Sequence, residues 1–96
     1  MKVVKTYPIG EGDWWLYLPE GAEAIDVVAD SESYAIAVIV GKDPVTMKSI
    51  MFRTVAGNGL FSAEGAKYIG MFYDHGIYGC RKYVFQITEP TNESGR

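Results

Sequence analysis

The sequence predicts an all-β domain of about seven short, mainly antiparallel strands, closed as a small sandwich or barrel. Three observations carry this. Turn-forming clusters recur at short intervals ("PIGEGD", "PEGAE", "DSES", "GKDP", "GNG", "DHG"). The runs between them are rich in Val, Ile, Tyr, Phe and Trp, which suit a pleated, half-buried surface. Several runs also alternate apolar and polar residues with a period of two, placing each set on one face.

The strands are expected at about 2–7, 14–18, 24–30, 34–40, 49–55, 67–73 and 78–88. In the second, Trp14 and Trp15 are neighbours and must point to opposite faces, so one enters the core while the other reaches an edge or surface. In the third, Ile25, Val27 and Ala29 fall on one side and Asp26 and Asp30 on the other. The fourth, "YAIAVIV", gives neither face a reason to meet water, so it should be central or covered by a second subunit. Its small Ala35 and Ala37 are compatible with close approach of another layer, and hence with a homo-oligomer. In the fifth, Ile50, Phe52 and Thr54 alternate with Met51, Arg53 and Val55. The stretch between the fifth and sixth strands reads as a connecting loop, with a turn at Asn58 and Gly59 and one helical turn at Ser62 to Ala66. The last two strands are joined by a turn at Asp74, His75 and Gly76, after which Tyr83, Phe85 and Ile87 share one face and Cys80, Lys82 and Val84 the other. One domain spans residues 1–88, and the polar tail 89–96 adds little to its core.

Composition narrows the function classes. With 48% hydrophobic and 22% charged residues the chain is too apolar for intrinsic disorder, and it has no uncharged run long enough for a membrane helix. The start, "MKVVKTYPIGEGDWW", holds no apolar core of signal-peptide length, and the lone Cys80 cannot form an internal disulfide, so a cytoplasmic location is expected. A net charge of −3 without a Lys or Arg block does not favour nucleic acid.

Few residues qualify for chemistry. His75 and Cys80 are the only residues of their types, but Asp74 is poorly placed to orient the imidazole, and two such ligands leave a zinc site half built. The glycines from Gly57 to Gly70 are not followed by the Lys-Ser/Thr of a phosphate loop. The reading is therefore no enzyme, no catalytic residue, no metal and no cofactor. Recognition is the better expectation. Trp14, Trp15 and Tyr17 are candidate anchors, because large rigid aromatics bury much area for little rotamer entropy. Arg53 and Arg81 are candidate planar cations for a carboxylate or phosphate.

Both ends of the chain resemble a family of small phage and prophage proteins. The likeness rests on Lys5, Tyr7 and Pro8; on Leu18, Pro19, Gly21 and Ala22; on Tyr68, Ile69, Gly70 and Phe72; and on Val84 with Phe85. It covers about half the chain and does not extend through the middle, 30–65. The resemblance supplies no activity or catalytic residue. It implies a setting: a phage accessory protein that binds a host protein, including to inhibit host defence, or alternatively one that sequesters a small signalling nucleotide, with an inter-subunit pocket as one form of that site.

Overall fold

The computed structural model describes residues 1–30, 33–42, 46–58, 65–74 and 79–88. It contains seven strands: β1 (Lys2–Pro8), β2 (Gly12–Pro19), β3 (Glu23–Asp30), β4 (Ser33–Gly41), β5 (Met47–Ala56), β6 (Ala66–Asp74) and β7 (Cys80–Ile87). Each lies within about two residues of its predicted bounds. They form two antiparallel sheets packed as a sandwich, one of three strands in the order β1-β4-β3 and one of four in the order β2-β5-β7-β6. Among the described residues no helix is long and apolar enough to cross a membrane.

Alternation decides what lies between the sheets. From the four-stranded sheet come Trp14, Leu18, Phe52, Ile69 and Val84; from the three-stranded sheet come Ala24, Ile36, Val38 and Val40. Tyr34 of β4 stacks on Phe72 of β6 across the gap, with ring centroids 5.1 Å apart. The two apolar faces thus remove each other from water, the main stabilising term available to a chain of this size. β4 is central in its sheet, as its unbroken apolar sequence requires. Ala35 and Ala37 are buried on its other face, flanked in register by Pro8 and Val28, and by Thr6 and Asp26. Both are buried within the single chain.

One expectation is corrected in β3. A register shift between Ala24 and Asp26 leaves Ile25 as an extra residue. Beyond it Val27 pairs with Ile36 and joins Ala24 on the core side, so Ile25 is exposed and does not share a face with Val27. The Val27 N–H donates instead to the Asp26 carboxylate at 2.8 Å. A second shift, between Tyr68 and Gly70, places Gly70 against the same residue. A Cβ at Gly70 would lie 2.9 Å from both the backbone nitrogen and Cγ2 of Val27, so only glycine permits this approach of β6 to β3.

Two turns close the frame. Ala22 N–H donates to the Pro19 carbonyl at 3.0 Å and Gly21 has φ 89°, the geometry of a type II turn in "LPEGA". Thr88 donates both its N–H, at 2.6 Å, and its hydroxyl, at 2.7 Å, to the Gly65 carbonyl, tying the end of β7 to the start of β6. Of the turn expected at Asp74, His75 and Gly76, Asp74 ends β6 and the other two lie outside the described residues. Of the helical turn expected at Ser62 to Ala66, 62–64 lie outside them, while Ala66 is not helical but begins β6. The strand start at Tyr78, Gly59 and the tail 89–96 also lie outside.

Candidate interaction face on the four-stranded sheet

Trp14 and Trp15 divide as adjacent strand residues must. Trp14 is 9% exposed and Trp15 is 58% exposed. Register explains which goes in. Trp14 lies opposite Phe52, with rings stacked at a centroid distance of 4.8 Å, and its indole N–H donates to the Thr54 hydroxyl at 2.9 Å. That hydroxyl in turn donates to the Gly10 carbonyl at 2.9 Å, so a buried Trp–Thr–carbonyl chain is satisfied throughout. Trp14 is therefore a core residue and not a recognition anchor, which corrects its selection from sequence.

On the opposite side of β2, Trp15 and Tyr17 (66% exposed) face away from the core. Register extends this outer face across the sheet. Trp15 lies opposite Met51, which lies opposite Ile87; Arg53 lies opposite Phe85, which lies opposite Tyr68; Tyr73 lies opposite Arg81. Tyr68 contacts both Phe85, at a centroid distance of 5.6 Å, and Tyr83, at 6.5 Å. Among the described residues, every aromatic of the exposed large hydrophobics (Trp15, Tyr17, Tyr68 and Tyr73) stands on this one face. Sequence reasoning missed Tyr68 and Tyr73 because their facing depends on pairing with β7 and on the bulge before Gly70.

The charges of this face are sparse. Along the four paired strands its side holds Arg53, Arg81 and Asp13, while Lys48, Lys67 and Lys82 fall on the other alternation. Arg53 grips Asp13 with two parallel bonds, Nε to Oδ1 at 2.6 Å and a terminal nitrogen to Oδ2 at 3.2 Å. Hydrogen bonding to Arg53 holds the Asp13 carboxyl below the usual carboxylate range and raises the guanidinium pKa further. Arg53 already holds a carboxylate of its own chain, so its expected role as an open cation for a ligand is corrected; Arg81 stays exposed at the end of the face. On the core side of the same sheet Lys82 reaches Asp74 at 3.4 Å and Glu11 at 3.5 Å. Burial opposes its charge, but the two carboxylates outweigh that and keep its pKa above the ordinary lysine value.

Beside the face, β5 runs on to Met47 after β7 ends at Ile87, leaving a notch of about 450 Å³ lined by Trp15, Lys48, Ser49, Met51, Gln86 and Thr88 among others. Cys80 is exposed at the start of β7, and His75, the other rare residue weighed and set aside from the sequence, lies outside the described residues. No family model, no curated protein and no solved structure matches the chain.

Proposed function

We propose that the chain is a non-enzymatic binding protein that engages a protein partner through the outer face of its four-stranded sheet. One observation carries this: the exposed aromatics are gathered on a single face with methionine and arginine, and the lysines lie on the other alternation. Tyr, Trp, Phe, Met and Arg are the residues enriched at protein interfaces, and Lys and Glu are depleted there. A nucleic-acid surface needs phosphate-neutralising cations, and here one of two arginines is committed to Asp13. The setting suggested by the sequence resemblance makes the partner a host protein in the cytoplasm of a phage-infected cell, with inhibition of host defence as the outcome.

The test is comparative capture from host lysate by the full chain. Trp15→Ala with Tyr17→Ala should lose the captured protein while the circular dichroism and melting temperature stay near those of the parent. A control, Val4→Ala on the exposed side of β1, should retain it. Equal capture by all three proteins refutes the reading.

A second reading has its own support, the notch beside β5. Trp15 and Lys48 both line it, from opposite alternations of the sheet, so an aromatic and a basic residue border one cavity, as a small nucleotide would need for stacking and charge. A thermal-shift screen with nucleotides and cyclic dinucleotides separates the two, since a ligand that binds only the native state raises the melting temperature.

A further inference from the structure

Four strand edges are left at the margins of the two sheets, and three carry features that discourage further pairing. β1 presents Lys2, Lys5 and Pro8; β3 has the bulge at Ile25 with Glu23, Asp26 and Asp30; β6 has its bulge at Ile69 and a lysine at Lys67. Lysines, prolines, bulges and charges are the devices by which sheets block edge-to-edge association. β2 has no lysine and no bulge along its eight residues "GDWWLYLP"; its proline is the terminal Pro19 and its one charge, Asp13, is paired with Arg53 of β5. Its pairing with β5 is unbroken, and among the described residues no turn or loop backbone hydrogen bond reaches the other edge except that from Ala22 to the Pro19 carbonyl.

We propose that this edge pairs with β2 of a second copy, antiparallel about a two-fold axis at Leu16, to give a continuous eight-stranded sheet. The occupant follows from self-complementarity. In an antiparallel pair, directly opposed residues share a face, so the axis passes through a residue. Centred on Leu16, Trp15 of each copy lies opposite Tyr17 of the other, a cross-strand aromatic pair at both ends of the seam. Half-buried Leu16 meets its own copy on the core side, and Trp14 meets Leu18 there. Asp13 lies opposite Pro19, so no like charges are opposed. The two outer faces then join into one surface of double width. This goes beyond the partner-binding reading and concerns the purified chain alone.

Sedimentation velocity of the full chain tests it without any other protein. A species of twice the monomer mass is expected at concentrations of about 100 µM, where even a modest strand-pairing affinity is populated. Trp15→Lys with Tyr17→Lys sets lysine against lysine across the seam and should weaken association at least ~10-fold. Register is tested separately: in a Cys80→Ser background, Leu16→Cys should oxidise to a linked dimer faster than Lys5→Cys on β1. A monomer throughout, an association unaffected by the two lysines, or linkage at position 16 no faster than at position 5 would each overturn the proposal.

Discussion

At the residue scale, the two tryptophans separate stability from recognition. Trp14 fills the core and supplies the donor to Thr54, so Trp14→Ala should cost about 3–5 kcal/mol in urea denaturation. Trp15→Ala, at an exposed position, should cost less than about 1 kcal/mol in the same experiment. Thr54→Val leaves both the Trp14 N–H and the Gly10 carbonyl without their partner and should cost about 1–3 kcal/mol, with Thr54→Ser largely restoring it. The Asp13–Arg53 pair has a defined pH signature. A carboxyl lowered in the folded state stabilises above its unfolded value, near pH 4, and that contribution is lost as pH falls through the lowered value. Asp13→Asn should therefore remove a small stabilisation at neutral pH, small because the pair is solvent-screened, and flatten the acid limb, the variant and the parent converging as pH falls through the lowered value. Lys82 has the opposite sign: its raised value gives stability below the ordinary lysine pKa that disappears as pH rises through the higher folded value. The sequence showed that one indole must be buried, but not which. That choice depends on Phe52 and Thr54, some forty residues away, and becomes readable only once β2 and β5 are in register. The Asp13–Arg53 pair was hidden for the same reason.

At the element scale, the strands were legible because Val, Ile and aromatic runs alternate between glycine, proline and acidic turns, and the chain is too short of long periodic segments for helices to compete. "YAIAVIV" revealed its central position directly, since no face of β4 is polar. Bulges were not legible. Ile25 continues the alternation of β3 perfectly in sequence, and only the contact of Val27 with Gly70 shows why the register slips there. Gly70→Ala tests that contact. Its new Cβ would meet the backbone nitrogen of Val27 as well as its branched side chain, so rotating that side chain alone gives no relief and the two sheets must separate. A loss of about 1–3 kcal/mol is expected in denaturant unfolding. If Gly70→Ala instead stabilises, as glycine replacement in an unstrained strand does, the tight crossing of β3 and β6 is wrong.

At the scale of the whole molecule, the sandwich uses one face of each sheet for the shared core, and the outer face of the four-stranded sheet carries the exposed aromatics. The exposed side of the four-stranded sheet is where composition and position part company. Alternation there should deliver polar residues, yet Trp15, Tyr17, Met51, Tyr68, Tyr83 and Phe85 stand on it. Retaining such a surface in water favours association over solubility, so its place in the account is as an interface. The candidate site was half legible: Trp15, Tyr17 and Arg81 were identified from residue type, while Tyr68 and Tyr73 needed the order β2-β5-β7-β6 to bring them round to the same side. The most direct test is acrylamide quenching of Trp15 fluorescence in a Trp14→Phe background, with and without the protein captured by the parent chain. Binding through the outer face predicts that Trp15 is shielded and its emission shifts to shorter wavelength. A saturated complex in which Trp15 is quenched as readily as in the free protein would contradict it.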